Sequence, residues 1–270
     1  PEPTADIQPR ANAMLGEICY REMRLDEAVR TGLVEEFDPR SEYVEAVRRQ
    51  VDFQAIAKAE LRVACDPMFG AGIGYVDKLL EEAGAEVTTI HNTNDPTFGG
   101  APPDPGEAHL GRLSSLVADT PEISLGLATD GDADRYGIVD RDGQFIEPNY
   151  VLALLADYMI RVRGEKGALA RSVATSHLLD RVAKHHGVEL LETPVGFKYI
   201  GDYISQNRIL IGGEESAGLT VRGHVPDKDG IVACLLVAEM VAVTGCSLVE
   251  LLEDLYRRVG PCYTRRDNLR

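Results

Sequence analysis

Short apolar runs alternate with amphipathic helical patterns along the first half of the chain. Residues 61–65 and 86–90 are apolar runs of strand length, and the segment between them places Val76, Leu79 and Leu80 on one helical face. A strand, a helix and a second strand in this order favour a parallel sheet. The pattern therefore predicts an α/β domain in this part of the chain.

The same alternation returns in the second half. Strands are predicted at residues 172–175, 188–192, 208–211 and 219–222, and helices at residues 151–162, 176–186, 199–205 and 231–243. A last helix begins with a capping box formed by Ser247 and Glu250. We therefore predict an α/β fold of two tandem three-layer α/β/α domains with mixed, mostly parallel sheets.

Changes in this pattern suggest the domain boundaries. A hairpin gives way to a long apolar helix near Pro148, where we place the central boundary between a domain over residues 41–148 and another over residues 149–262. We expect residues 1–40 to be the remnant of a preceding domain plus a linker. We expect residues 263–270 to begin a linker to a missing C-terminal domain.

Two helical patterns precede the first predicted strand. Residues 6–30 are mostly helix-compatible and amphipathic, but they have no predicted strand to pack on. A second pattern runs from Ser41 to Ala59 and predicts one helix with Ser41 as its N-cap.

A loop with three aspartates follows the apolar run at residues 123–128. Asp130, Asp132 and Asp134 occupy alternate positions, and a second apolar run at residues 136–140 begins a predicted hairpin. Three carboxylates this close raise one another's pKa values unless a cation lies between them. Mg²⁺ needs only a few carboxylates, because it keeps water or phosphate oxygens as its other ligands. The loop is therefore a candidate magnesium site.

Arg135 directly follows the third aspartate, and its planar guanidinium suits a phosphate group. A metal loop that ends in an arginine suggests phosphoryl chemistry. A calcium loop is a poor match, because that motif needs Gly at its sixth position and Glu at its twelfth, where this chain has Arg135 and Arg141. A solvated acidic turn is the other interpretation that these residues alone leave open.

Composition narrows the class of partner. The chain of 270 residues carries a formal net charge of -16, which argues against nucleic acid or an anionic membrane surface as its main partner. Sugar phosphates stay compatible, because a metal and local basic side chains can reverse the field within one cleft. The five cysteines show no metal-binding spacing and favour a reducing cytoplasm. The longest apolar run, residues 231–243, contains Glu239 and is too short to span a bilayer.

Two glycine-containing loops of the second half are candidate binding loops. Residues 212–218 hold Glu214 and Ser216, whose carboxylate and hydroxyl can point the same way and bind adjacent sugar hydroxyls. An acidic surface turn is the ordinary alternative. Residues 193–198 form a constrained loop that ends at Lys198, and only six residues of the chain are lysines.

Two further pairs of residues require a choice between chemistry and structure. His224 and Lys228 lie in the loop at residues 223–230 and are acid/base candidates, although a satisfied loop histidine and an exposed lysine are the ordinary explanations. Ser176 and His177 resemble a nucleophile beside a base. Because Ser176 stands where a helix begins, we predict an N-cap there instead.

The glycines at positions 70, 72 and 74 follow the first predicted strand. Their spacing is GxGxG rather than GxGxxG, and no acidic residue closes the next strand. A dinucleotide site is therefore not expected, and we assign these glycines to a tight turn between strand and helix.

Four of these motifs occur together in the order found in one enzyme family. Residues 130–135, 194–198, 212–216 and 224–230 resemble the motifs of the α-D-phosphohexomutases, the phosphoglucomutase/phosphomannomutase family. The likeness runs from about residue 24 to residue 263. That family has four domains around one cleft, and the two domains predicted here resemble its second and third.

The resemblance implies a role for each motif. Asp130, Asp132 and Asp134 would hold Mg²⁺ together with a phosphoserine, and Arg135 would lie against that phosphate. Lys228 would line the cleft as a proton-transfer group. The implied substrate-binding residues are Gly196, Lys198, Glu214, Ser216 and His224.

The family reaction moves phosphate from the serine to a hexose monophosphate, and the hexose bisphosphate then reorients and returns its other phosphate. The family's first-domain serine loop and fourth-domain phosphate loop do not occur in this sequence, so we expect the isolated chain to be inactive. A non-catalytic module that binds metal and sugar phosphate with the same loops is the alternative. The choice among glucose, mannose and glucosamine phosphates stays open.

Overall fold

A computed structural model describes residues 2–16 and 22–264 of the chain. The chain divides into two compact units, residues 1–43 and residues 44–270. The second unit contains both β-sheets and every residue that the sequence predicts to be functional.

The described residues of the first unit form helices joined by turns and irregular segments. It contains α1 (Glu2–Ala13) and α2 (Leu25–Arg30), and both fall within or beside the helical pattern predicted at residues 6–30. Residues 17–21 of that pattern lie outside the described residues.

The helix predicted from Ser41 to Ala59 is wrong in two respects. Two helices occupy this segment, α3 (Arg40–Arg48) and α4 (Phe53–Ala59), and Ser41 lies inside α3 instead of capping it. The break occurs because Asp52 caps α4, with one carboxylate oxygen 3.0 Å from each of two backbone nitrogens in its first turn. A second N-cap within a continuous amphipathic pattern thus ends one helix and begins another.

The first sheet has five strands in the order β2-β1-β3-β4-β5. The strands are β1 (Arg62–Asp66), β2 (Glu86–Thr89), β3 (Leu125–Thr129), β4 (Tyr136–Asp140) and β5 (Phe145–Ile146). β1 runs parallel to β2 and β3, whereas β4 and β5 add the predicted antiparallel hairpin. The acidic loop therefore connects an antiparallel pair at the carboxyl end of β3.

Two helices cover this sheet and bury its apolar side chains. They are α5 (Val76–Glu82), which buries the predicted face formed by Val76, Leu79 and Leu80, and α6 (Gly111–Ala118). Leu113 and Val117 of α6 share one core cluster with the side chains of β1, β3 and β4. Burial of such side chains is the main stabilising term of the domain.

The second sheet has four strands in the order β7-β6-β8-β9, and only β9 is antiparallel to its neighbour. The strands are β6 (Ala168–Ser172), β7 (Leu190–Thr193), β8 (Ile209–Gly213) and β9 (Leu219–Val221). Its helices are α7 (Pro148–Arg161), α8 (Leu178–His186), α9 (Lys198–Ser205), α10 (Gly230–Thr244) and α11 (Leu248–Val259). Two mixed, mostly parallel sheets flanked by helices confirm the predicted fold class.

The strand predicted at residues 172–175 is wrong in its position. β6 ends at Ser172, and the amide of Thr175 donates to the Ser172 carbonyl at 3.0 Å, which closes a turn. The capping box of α11 is confirmed by reciprocal hydrogen bonds between Ser247 and Glu250. Ser176 accepts a hydrogen bond from the amide of Leu178 at 3.1 Å. The N-cap of α8 is His177, so the capping residue predicted at Ser176 lies one position too early.

Helix α10 is the structural centre of the second unit. It is buried along most of its length and contacts β3 and β4 of the first sheet as well as β9 of the second. The carboxylate of Glu239 is buried in this helix and accepts hydrogen bonds from the Tyr158 hydroxyl at 2.6 Å and the Asp52 amide at 2.7 Å. These donors offset the cost of burying the carboxylate.

No single helix among residues 2–16 and 22–264 is long and apolar enough to cross a membrane. Helices α10 and α11 meet the length and hydropathy criteria only when they are taken together, and they are bent at 78° to one another.

Asp157 of α7 connects three helices. Its carboxylate oxygens lie 2.8 Å from the Arg258 guanidinium of α11, 2.7 Å from the His186 ring of α8 and 3.1 Å from Arg161. Burial by itself would raise the pKa of Asp157, but the hydrogen bonds from these three side chains outweigh it and hold the pKa at about 2. An unfolded aspartate titrates near ~3.9. The stabilisation is therefore complete above that pH and is lost as the pH falls towards 2.

We expect Asp157→Asn to lower the free energy of unfolding by at least ~2 kcal/mol at neutral pH, because two arginines and the His186 ring lose the carboxylate that they share. The difference from the unsubstituted chain should shrink between about pH 4 and pH 2. Urea unfolding at several pH values measures both effects. Asp119→Asn, at an exposed site, is the control. A difference that does not change with pH would contradict this account.

Candidate functional site

The acidic loop brings its three carboxylates together. Asp130, Asp132 and Asp134 each offer one oxygen, and these oxygens all lie within 4.8 Å of one another. Ala133 adopts a left-handed conformation with φ 62°, which turns the chain between the second and third aspartates. Asp130 is buried, Asp134 is half-buried and Asp132 is exposed, so the cluster opens to one side.

Arg135 is fixed against the first aspartate by two hydrogen bonds. Its backbone amide lies 2.9 Å from Asp130 Oδ1, and its side-chain Nε lies 2.7 Å from Asp130 Oδ2. Burial raises the pKa of Asp130, whereas the hydrogen bonds from Arg135 oppose that shift. Contacts through Nε and the backbone leave the outer guanidinium nitrogens to face other groups, such as Asp104 Oδ2 at 3.7 Å.

The glycines after β1 pack against the acidic loop from one side, a contact that their spacing in the sequence does not predict. A Cβ on Gly70 would lie 2.5 Å from the carbonyl oxygen of Gly131, and the Ala71 amide donates to that same oxygen at 2.9 Å. A Cβ on Gly72 would overlap the hydroxyl of Thr129. These glycines therefore permit close backbone packing against the loop, in addition to the tight turn predicted for them.

The loop between β2 and α6 covers the acidic loop from another side. The Gly131 amide donates to the Pro103 carbonyl at 3.2 Å, and a Cβ on Gly131 would lie 2.8 Å from the Pro103 ring. Asp104, next to this proline, is the carboxylate that faces Arg135. Asp104 belongs to no motif in the sequence, and its only local signal is its place in a segment rich in Pro, Gly, Asn and Asp.

The loop at residues 212–218 connects β8 to β9 and meets the loop that holds Gly196. The Gly196 amide donates to Glu214 Oε1 at 2.9 Å, and the Glu214 side chain is buried. Gly196 has φ 127°, a conformation that favours glycine. Ser216 is half-buried on the same turn. The structure thus brings Glu214 and Gly196, two predicted site residues, into direct contact.

Glu215 fixes the other side of this loop. Its Oε2 accepts hydrogen bonds from Ser172 Oγ at 3.1 Å and Thr175 Oγ1 at 3.3 Å. Its amide also donates to Thr175 Oγ1 at 3.2 Å. Glu214 therefore binds the loop that holds Gly196, whereas Glu215 binds the turn that follows β6. The Glu-Glu sequence alone does not predict that the two side chains bind different loops.

Lys228 joins the loop between β9 and α10 to the acidic loop. Its Nζ lies 2.5 Å from Asp134 Oδ2, and both side chains are about one quarter exposed. Two residues later, the Gly230 amide donates to the Ala133 carbonyl at 3.0 Å. A Cβ on Gly230 would overlap the Arg135 carbonyl, so glycine is required at this position.

The remaining two predicted site residues lie in different environments. The His224 side chain is buried, and its Nε2 lies 2.6 Å from Asp229 Oδ2. Asp229 in turn caps α10 by accepting from the Val232 amide at 2.9 Å. Lys198 is exposed at the start of α9, with its Nζ 5.0 Å from the centre of the Tyr199 ring. Substrate contacts of His224 and Lys198 stay predictions.

In this α/β protein, loops at strand ends converge on an acidic cluster, and strand ends are where open α/β sheets place their ligands. Residues 41–143 match the family model for phosphoglucomutase/phosphomannomutase α/β/α domain II, and residues 147–259 match the model for α/β/α domain III. The chain therefore belongs to the phosphoglucomutase/phosphomannomutase family.

Individual relatives agree with this assignment. A phosphoglucomutase/phosphomannomutase of Thermococcus kodakarensis is 34% identical over 79% of this chain and 46% of its own length. A phosphoglucomutase of Komagataeibacter xylinus is 32% identical over 92% of this chain and 47% of its own length. A Thermus thermophilus crystal structure described as a phosphomannomutase superposes with a TM-score of 0.79 at 37% identity, covering 84% of this chain and 52% of that one. The chain spans about half the length of these relatives.

We expect Gly70→Ala to displace the acidic loop, because its Cβ has no room beside Gly131. The substitution should lower the free energy of unfolding by ~1–3 kcal/mol and weaken divalent-cation binding at the loop. Urea unfolding and calorimetry measure the two effects. Gly111→Ala is the matched control, because a Cβ there has nothing within 4 Å. Cation binding that survives unchanged in Gly70→Ala would show that the loop does not depend on this packing.

Proposed function

We propose that this chain is the metal- and sugar-binding part of a phosphohexomutase. The complete enzyme would interconvert hexose 1-phosphate and hexose 6-phosphate through a phosphoserine and a hexose bisphosphate. One observation carries the proposal: Lys228, from the sugar-binding half, reaches Asp134 of the acidic loop at 2.5 Å. This contact supports the proposal that the candidate metal loop and the candidate sugar loop are parts of one site.

The acidic loop fits Mg²⁺ by its chemistry. Asp130, Asp132 and Asp134 supply three hard oxygen donors whose ligand atoms lie within 4.8 Å of one another. Bound Mg²⁺ would polarise a phosphoryl oxygen and neutralise charge that develops on it. The exposed side of the cluster leaves room for the phosphoserine oxygen that the resemblance implies.

Arg135 and Lys228 are the proposed catalytic side chains. Asp130 orients the guanidinium of Arg135 through Nε. Because this side chain is already ordered, its outer nitrogens can donate to phosphate oxygens with little further loss of conformational entropy. Lys228 lies beside the same cluster and would hold or move a proton at the sugar hydroxyl that accepts phosphate.

The proposed substrate-binding residues lie on the loops of the second sheet. Glu214 and Ser216 would bind sugar hydroxyls, and the contact between Glu214 and the Gly196 amide would hold these two loops in register. Lys198 is exposed and can reach a substrate phosphate. His224 would approach the sugar only if its loop moved, because its side chain is buried against Asp229.

The proposed function implies particular substrates, partner domains and a reducing compartment. The substrates are hexose phosphates and hexose bisphosphates, and the family's first and fourth domains would supply the phosphoserine and a phosphate-binding loop. The isolated chain should therefore not interconvert glucose 1-phosphate and glucose 6-phosphate. The four cysteines among the described residues are free thiols, which supports a reducing compartment such as the cytoplasm.

We expect Mg²⁺ to bind the chain with about one ion per molecule, and Asp132→Ala should abolish the binding because it removes one of only three carboxylates. Titration calorimetry measures the affinity. Asp142→Ala removes an equal charge from the neighbouring hairpin turn and is the control. Binding that persists in Asp132→Ala would place the ion elsewhere. Binding that is absent in every variant of the isolated chain, but present in the complete phosphorylated enzyme, would make the phosphoserine an essential ligand.

A further inference from the structure

The Lys228 ammonium occupies one oxygen of a predicted metal ligand. Its Nζ lies 2.5 Å from Asp134 Oδ2, while the other oxygen, Oδ1, lies 3.7 Å from Arg135 Nε. Lys228 and a divalent cation would therefore draw on the same carboxylate. An ammonium and Mg²⁺ repel each other, so the close contact and full cation loading oppose one another.

The aliphatic stem of Lys228 also packs against the loop at residues 212–218, which we call the sugar loop. A Cβ on Gly218 would lie 2.7 Å from Lys228 Cγ and would overlap Cδ. The stem thus passes directly over Gly218, the last residue of the loop that holds Glu214 and Ser216. One side chain is therefore in contact with the sugar loop along its stem and with the acidic loop at its tip.

The charges around the acidic loop favour a metal ion that displaces one of the bound cationic side chains over a metal ion that binds beside both of them. Three aspartates face two cationic side chains, because Arg135 is bonded to Asp130 and Lys228 to Asp134. Arg135 is fixed by its backbone as well as its side chain, whereas the Lys228 side chain holds Asp134 by a single flexible contact. Of these two cationic side chains, Lys228 can move away from its carboxylate at the lower cost in free energy.

We propose that Lys228 competes with the divalent cation for Asp134, so that cation binding releases its ammonium towards the substrate. The inference rests on the proposed function, since it assumes that the acidic loop binds the ion. Cation binding would then free the Lys228 ammonium to contact the substrate. Because the Lys228 stem packs on Gly218, the freed ammonium would lie along the loop at residues 212–218.

Competition can be measured on the 270-residue chain with Mn²⁺ as the probe. Electron paramagnetic resonance counts free Mn²⁺ and so gives the dissociation constant for each variant. We expect Lys228→Met to bind Mn²⁺ about 2- to 5-fold more tightly, the size of one ion pair that is partly exposed to solvent. Lys184→Met removes an equal charge from an exposed position of α8 and should change the affinity by less than about twofold.

A second variant disturbs the same contact without altering charge. Gly218→Ala adds a methyl group where the Lys228 stem lies, and the stem can move because it is flexible. It should also tighten Mn²⁺ binding, by a smaller factor than Lys228→Met. Gly111→Ala, in open space, is its control.

Lysine methyl resonances give a readout that does not involve affinity. With ¹³C-methylated lysines, the Lys228 signal is identified by its loss in Lys228→Met. Diamagnetic Mg²⁺ should shift it more than the signals of the other five lysines, because its ion pair is broken. The shift should be absent in Asp132→Ala.

Three results would overturn the proposal. Equal or weaker Mn²⁺ binding by Lys228→Met, with normal binding by the unsubstituted chain, would show that Lys228 supports the site instead of competing for it. An unmoved Lys228 signal at saturating Mg²⁺ would show that the ammonium is not released. No Mn²⁺ binding by any variant of the isolated chain would overturn the competition in this chain. If the complete phosphorylated enzyme also bound no Mn²⁺, the metal site of the proposed function would be rejected as well.

Discussion

The packing of α10 between the two sheets is the constraint on which the rest of the structure depends. This apolar helix buries nearly every side chain, and its first residue, Gly230, lies so close to Ala133 and Arg135 that no Cβ would fit. The carbonyl of Ala133 accepts the Gly230 amide, which fixes the acidic loop to the beginning of the helix. Because α10 also contacts β9, the packing of this helix positions the loop at residues 212–218, which leads into β9.

The chemistry proposed for the site follows from this arrangement. Neither half holds all the charged groups of the proposed site, because the carboxylates lie after β3 and Lys228 lies after β9. Their contact across the junction forms one polar cluster in which Asp130 and Asp134 each have a cationic partner. A phosphate ligand entering such a cluster would meet donors that are already oriented, which is the condition for efficient electrostatic stabilisation.

Sequence patterns predicted the elements better than their contacts. Hydrophobic periodicity and capping motifs are local, so the alternation of strands and helices, the β4–β5 hairpin and the α11 capping box could be predicted. The break before Asp52 could not, because an amphipathic pattern continues across it. The buried position of His224 and the packing of Gly70 on Gly131 depend on residues far apart in sequence, which no local pattern records.

The central claim is that Asp130, Asp132 and Asp134 form a metal site beside Lys228. Crystals of the chain grown with Mn²⁺ and measured at a wavelength with strong manganese anomalous scattering test it directly. We predict one strong anomalous peak bounded by oxygens of all three aspartates at about 2.2 Å, with Lys228 Nζ withdrawn from Asp134. A fully occupied peak elsewhere in the chain, with none at the acidic loop at saturating Mn²⁺, would contradict the account.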